Sequence, residues 1–167
     1  FNFYIIIKEI IKLCLKYKMP AAALSDKGNL FGSLEFSSAA SSNSIQPIMA
    51  ATVKIAIPKD IISETPKNLA DEILLIARNK AAYKNLLKIV SQTFLESASE
   101  TENSITLEHL KELSTDIICL AGHHQSLLGD LIINKQFTAA ENLIKGYNQI
   151  FTNHLYLEIT RTGETTE

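Results

Sequence analysis

Two stretches of five consecutive apolar residues, Ile73-Leu74-Leu75-Ile76-Ala77 and Ile117-Ile118-Cys119-Leu120-Ala121, constrain the fold of this chain more than any other feature. A strand that is apolar at every position has no solvent face, so both of its faces must be covered. Helices packed on a sheet supply that cover. The flanking sequence has the period for it. Tyr83, Leu86, Leu87, Val90 and Phe94 mark one face of a helix over 80–94. Phe137, Ala140, Leu143, Ile144, Tyr147, Ile150 and Phe151 do the same over a long final helix.

The remaining segments extend the alternation. Ile6, Ile7, Ile10, Leu13, Cys14 and Tyr17 predict a helix, with Lys8, Glu9, Lys12 and Lys16 on its other face and Pro20 at its end. Alanine is a poor strand former, so 21–24 reads as a strand only from its place between Pro20 and the turn at Gly28. A second helix is expected from Leu30 to about Ser42, with Leu30, Phe31, Leu34 and Ala39 as its apolar positions. An extended run starts at Ile45, and Val53, Ile55 and Ile57 keep strand period. Residues 58–71 and 96–103 read as polar loops. Thr106 can cap a short helix whose first turn carries Glu108. Leu155, Leu157 and Ile159 alternate on a last strand, and a frayed polar tail is expected after Arg161. Strands alternating with helices imply a parallel sheet wound with helices, open or closed into a barrel.

Composition bounds the rest. A chain of 167 residues with 46% hydrophobic residues suits one domain, 1–167, with a sizeable core. Its net charge of −2 does not suggest a protein that coats nucleic acid. Cys14 and Cys119 lie in apolar runs and read as buried free thiols of a reducing compartment. The apolar run 3–7 is too short for a membrane span and has no cleavage-site pattern after it, so a cytoplasmic location with no membrane partner is expected. Because the chain opens on Phe1, residues upstream are also expected.

The segment Ser25-Asp26-Lys27-Gly28-Asn29-Leu30-Phe31-Gly32 concentrates residues suited to chemistry. Asp26 ends a strand, and in α/β folds the strand rim is where ligands and metals sit. Gly28 and Gly32 permit a tight turn and close backbone approach. His123 and His124 follow the strand that ends at Ala121 and would reach the same rim. Imidazole with carboxylate suits zinc or manganese. Without an HxH or HExxH spacing, the residues alone favour a solvated pair of histidines. His109 on a short helix and His154 before the last strand carry no assigned role. The chain has no GxSxG, no phosphate loop and no dinucleotide-binding glycine spacing. Lys8, Lys12 and Lys16 form a stripe that reads as a solvated helix face.

Lys18 to Ala56 resembles the N-terminal PHP (polymerase and histidinol phosphatase) domain of the bacterial DNA polymerase III alpha subunit. The family pattern M-P-A-x-A-L-T-D-H-G-N-L-F-G-x-x-E-F is met by Met19-Pro20-Ala21-Ala22-Ala23-Leu24-Ser25-Asp26-Lys27-Gly28-Asn29-Leu30-Phe31-Gly32-Ser33-Leu34-Glu35-Phe36. Ile45-Gln46-Pro47-Ile48 follows in register. Leu75-Ile76-Ala77-Arg78-Asn79 with Tyr83-Lys84-Asn85-Leu86 is similar to L-L-A-K-N-x-x-x-Y-x-N-L. Phe151 with Leu155-Tyr156-Leu157-Glu158-Ile159 is similar to F-x-x-x-x-Y-L-E-L.

The resemblance implies an α/β fold: a distorted (β/α) barrel of PHP type, parallel strands alternating with helices, holding metals at its strand rim. This chain implies an incomplete one. The strand bearing the family's His-x-His would lie before Phe1 and the last barrel strands beyond Glu167. Edge strands and apolar surface are then expected to be exposed, with marginal stability. Lys27 replaces the family's histidine and Thr52 its glutamate, while Glu72 stands where many members have histidine and His123 where they have cysteine. A charged ammonium cannot ligate. Asp26, His123 and Glu72 remain as vestigial candidate ligands, and Lys27 is expected to pair with Asp26 or Glu72 in place of a metal.

What the resemblance implies for function is a piece of a replicative polymerase alpha subunit, acting in DNA replication. Its metal site is degenerate and its role is to brace the polymerase and dock partners. Those partners are other parts of the polymerase III holoenzyme, among them the proofreading exonuclease subunit, with DNA met only through the full-length polymerase. As a piece it would be a catalytically inactive part of a DNA-directed DNA polymerase, a nucleotidyltransferase. No cofactor is expected, or zinc or manganese if the site is intact. The alternatives are a stand-alone PHP-type phosphoesterase or 3′–5′ proofreading exonuclease, and a decayed gene fragment with no function of its own.

Overall fold

Backbone period and packing agree over most of the chain. The computed structural model describes residues 7–58, 61, 69–95, 103–123 and 126–159. In order these form α1 (Ile7–Lys16), β1 (Ala21–Lys27), α2 (Ser33–Ser42), β2 (Gln46–Ile57), β3 (Leu69–Ala77), α3 (Lys80–Leu95), β4 (Ser104–Thr106), α4 (Leu107–Leu113), β5 (Ile117–Ala121), α5 (Leu127–Ile133), α6 (Phe137–Ile150) and β6 (Leu155–Leu157). The expectations for 1–6, for most of the 58–68 and 96–103 loops, for His124 and for the tail from 160 lie outside the described residues.

The strands make one open sheet in the order β1-β2-β3-β5-β6. β2 is long enough for β1 to pair with its first half, from Gln46 to Thr52, and β4 with its second half, from Lys54 to Ala56. β1, β4 and β6 pair in parallel with their neighbours, while β3 runs antiparallel to both β2 and β5. The α/β architecture is as expected, but the sheet is mixed, not uniformly parallel. A parallel pair needs a crossover, usually a helix, and the sequence between β2 and β3 carries no helical period, so the chain doubles back. β3 also begins at Leu69, which moves Asp71 out of the expected loop and takes both Asp71 and Glu72 into the strand.

Period 2 divides the sheet into two faces. One face carries Val53, Ile55, Ile73, Leu75, Cys119 and Ala121, which pack against Leu86, Ile89, Leu143 and Tyr147 of α3 and α6 in the main core. A smaller cluster of Ile11, Cys14, Phe36, Ala40 and Ile45 seats α1 and α2 against β1. The opposite face carries Thr52, Lys54, Glu72, Leu74 and Leu120 and is only partly covered. Some residues of the expected apolar stripes lie outside both clusters: Leu13, Tyr17, Phe31, Leu34, Phe94 and Phe137 are exposed. Helix ends follow the expected chemistry. The Thr106 side chain accepts from the His109 amide at the start of α4, and Asn79 Oδ1 accepts from the Ala82 amide at the start of α3.

Candidate functional site

Asp26 and Lys27 are the last two residues of β1, so strand alternation sends their side chains to opposite faces of the sheet. Asp26 turns toward α2, where its Oδ2 accepts from the Gly32 amide at 3.1 Å. A Cβ on Gly32 would stand 2.9 Å from Leu24 Cδ2 and 3.2 Å from Asp26 Oδ2, so glycine is what lets the chain pass this close to β1. The turn between them is held by Asn29, whose Nδ2 donates to the Lys27 carbonyl at 3.0 Å and whose Oδ1 accepts from the Phe31 amide at 3.1 Å. Gly28 takes φ +69° there and donates its amide to the Thr52 carbonyl at 2.8 Å.

Lys27 projects onto the open face. Its Nζ lies 2.8 Å from Glu72 Oε1. Of the two carboxylates that the sequence offered it, it takes Glu72, because Asp26 is on the far side of the sheet. Thr52, the register partner of Lys27, stands beside it, with Thr52 Oγ1 at 3.4 Å from Ser25 Oγ. Ser25, Lys27, Thr52, Glu72, His123 and Glu158 line a cavity of about 400 Å³. A second cavity of about 400 Å³ shares Lys27, Thr52 and Glu72 and is flanked by Lys54 and the exposed rings of Phe31 and Phe94. The structure thus brings Glu72, Lys27, Thr52 and His123 to one cavity and leaves Asp26 out of it.

As a donor set these residues do not fit a metal cluster. Glu72 is committed to an ammonium, Thr52 offers only a neutral hydroxyl, and Asp26 is spent on a backbone amide. Among the described residues no group of three His, Cys, Asp or Glu side chains converges in a way that could hold a metal ion. The Lys27 side chain is 69% exposed and that of Glu72 33%, so the ion pair is well solvated. Lys27→Ala is therefore expected to cost less than about 1 kcal/mol. Urea unfolding showing a loss of several kcal/mol would mean the pair is far more desolvated than its exposure indicates.

Directly behind Glu72, on the helix face, lies a residue that the sequence reading assigned to a loop. Asp71 is 1% exposed. Its Oδ1 accepts from the Leu127 amide at 2.8 Å and from the Glu72 amide at 2.9 Å, and its Oδ2 accepts from the Tyr147 hydroxyl at 2.7 Å. Burial raises its carboxyl pKa, and the three hydrogen bonds oppose that rise only in part. Burial, with the Asp71 charge adding to it, also pushes the Tyr147 hydroxyl and the Cys119 thiol upward. Cys119 is inert as a nucleophile for that reason. The strand period across Asp71, Ile73 and Leu75 was the available signal for this residue.

The other candidate groups are structural. The His109 ring lies 3.1 Å from Thr106 Oγ1 at the α4 cap. His154 Nε2 is 2.6 Å from Arg78 Nη1. Arginine can only donate, so Nε2 accepts, and the proton sits on Nδ1, which donates to the Asn153 carbonyl at 2.7 Å. In the lysine stripe of α1, Lys12 pairs with Glu9 at 2.7 Å and Lys16 lies over the Tyr17 ring. Among the described residues no helix is long and apolar enough to cross a membrane.

The PHP domain family matches residues 5–162, nearly the whole chain and every described element. The chain belongs to the PHP family. Curated relatives of this PHP domain are DNA polymerase III alpha subunits. That of Rickettsia bellii is 36% identical over 154 residues, covering 92% of this chain and 12% of the relative. That of Borreliella burgdorferi is 33% identical over 163 residues, covering 94% and 14%. That of Caulobacter vibrioides is 32% identical over 158 residues, covering 93% and 14%. The chain therefore spans about one-eighth of the length of the relatives it matches. A proposed metal-dependent phosphoesterase from Bifidobacterium adolescentis aligns at 9% identity and a TM-score of 0.40 over 70% of this chain and 61% of that one, a likeness too loose to transfer any property.

Proposed function

We propose that this PHP domain is a segment of a replicative DNA polymerase III alpha subunit whose metal site has degenerated and whose role is to brace the polymerase and dock its partners. The observation that carries this reading is the Lys27 ammonium 2.8 Å from Glu72, beside Thr52, in the cavity that also holds His123. An ammonium at that carboxylate supplies the positive charge a divalent cation would bring and repels the cation itself. The relatives' name, a subunit of DNA polymerase III, supports a place in that assembly; the setting that goes with this reading is DNA replication in the cytoplasm, with the proofreading exonuclease subunit among the partners. By itself the segment makes no DNA, and it meets DNA through the complete polymerase. The rival reading, a metal-dependent phosphoesterase or 3′–5′ exonuclease, has in its favour that His123 and Glu72 share a cavity. Of the three donor side chains that line it, Glu72, His123 and Glu158, one is ion-paired, and among the described residues no three converge as such a cluster needs.

Elemental analysis of protein purified with zinc and manganese present is expected to find well under one metal ion per chain. Lys27→His restores the family's imidazole and is expected to leave turnover of a generic phosphoester with manganese at background, because Thr52 still lacks a carboxylate. Stoichiometric metal that disappears on Glu72→Ala, or turnover appearing from Lys27→His alone, would sink the degenerate-site reading in favour of the phosphoesterase.

A further inference from the structure

The two faces of the sheet are joined at one dipeptide. Glu72 projects into the open cavity, while Asp71 projects into the helix layer and grips the first amide of α5 and the hydroxyl of Tyr147 on α6. The cavity reaches the start of α5. His123 and Ser126 both line it, and they are tied to each other, the Ser126 amide donating to the His123 carbonyl at 2.8 Å. Ser126 is 2% exposed and caps α5 through its Oγ, which accepts from the Gly129 amide at 3.2 Å. So His123 and Ser126 are tied to the start of α5, and α5 is tied to the residue next to Glu72.

We propose that Asp71 is a positioning residue: through Leu127 it holds His123 and Ser126 in place relative to Glu72, so that the cavity they line keeps its shape by a clamp on the far side of the sheet. Sheet pairing alone does not do this. Ser126 lies outside β5, and the described hydrogen bonds that tie α5 to a strand run to Asp71. The contact is directional, since a carboxylate accepts two backbone amides on one oxygen and a hydroxyl on the other. Asparagine can reproduce this set: its Oδ1 accepts the same two amides, and its Nδ2 donates to the Tyr147 oxygen, which reverses its role. Alanine reproduces none of it. Phenylalanine at 147 removes the bond that aims Oδ2, which weakens the hold of Asp71 on the Leu127 amide without abolishing it.

The test is amide hydrogen exchange together with the His123 ring signals in the nuclear magnetic resonance spectrum, on the whole chain. In Asp71→Ala, exchange at Leu127, Leu128 and Gly129 is expected to quicken by about tenfold or more over any change at Val53, Ile55 and Leu75, and the His123 signals are expected to move. Asp71→Asn should return both to the parent values within about twofold. Tyr147→Phe, the mild variant, should show the same local pattern at smaller amplitude. If Asp71→Ala does not fold, the other two variants decide the matter. Selective loosening at α5 in Tyr147→Phe with a parent-like Asp71→Asn supports the clamp. His123 signals that stay put in Tyr147→Phe, exchange that rises uniformly over the core, or an Asp71→Asn variant as loose at Leu127 as alanine would overturn it.

Discussion

Asp71→Ala is expected to destabilise the chain by about 3 kcal/mol, because it strands the Leu127 amide, the Glu72 amide and the Tyr147 hydroxyl in a buried site. Asp71→Asn keeps those partners and discards a charge that burial disfavours, so at neutral pH it is expected to be as stable as the parent chain or more so. The two variants separate hydrogen bonding from charge, and pH separates them further. Burial holds the folded carboxyl pKa above its unfolded value, so the folded chain binds this proton more tightly. The stability Asp71 gains from that proton is fully present below the ordinary carboxylate range. It is lost as pH rises through that range to the folded pKa, above which the loss is constant. The stability of Asp71→Asn relative to the parent should therefore rise with pH across the acid range and then level off. Urea unfolding of both proteins from mildly acidic to neutral pH measures this directly. A flat difference would show that hydrogen bonding to the carboxylate cancels its desolvation, and one that runs the other way that it outweighs it; either result contradicts the raised pKa.

Phe36→Ala is expected to cost about 3–5 kcal/mol. Phe36 is fully buried in the smaller cluster, and its neighbours there include short side chains such as Cys14, Ala40, Ala22 and Ala39. It supplies much of the volume that seats α2, whose other buried residues are Ser33 and Ala40. The surrounding backbone cannot collapse onto the space without pulling α2 into β1, so most of the cavity should persist. Because this cluster is separate from the main core, α1, α2 and β1 should loosen first, with β2, β3 and β5 keeping their exchange protection. A loss under about 1 kcal/mol, or equal deprotection of both clusters, would mean that Phe36 is not the anchor of this layer.

Much of the fold is legible without coordinates, and the reason is periodicity. The five-residue apolar runs around Leu75 and Cys119 read as strands, and the stripes containing Leu86 and Tyr147 as helices that cover them, although the structure fully buries only alternate residues of each run. Thr106 is a legible cap because its hydroxyl acts on an amide three residues away. The motif from Met19 to Phe36, with the blocks that follow it, is enough to identify the PHP family, and the family match covers the same residues. Lys27 and Thr52, as replacements of the family's ligand types, are visible as letters alone.

Three features were decided only by the assembled structure. The direction of β3 is not written in its own apolar period, which reads the same either way; its pairing with β2 decides it. The fate of individual apolar side chains depends on which neighbour arrives to cover them. Leu34 is 80% exposed and Phe36 fully buried on the same helix, because the smaller cluster meets only one side of α2. The candidate site was settled by strand parity. Asp26 and Lys27 are adjacent in sequence, but β1 continues through both, so one faces α2 and the other faces Glu72. The same parity hides Asp71. Next to Glu72 it looks like half of a solvated acidic pair, and only the packing of α5 and α6 behind the sheet makes it a buried acceptor. Local spacing determines which elements form; what each side chain meets depends on contacts between residues as far apart as Asp71 and Tyr147, which pattern along the chain does not contain.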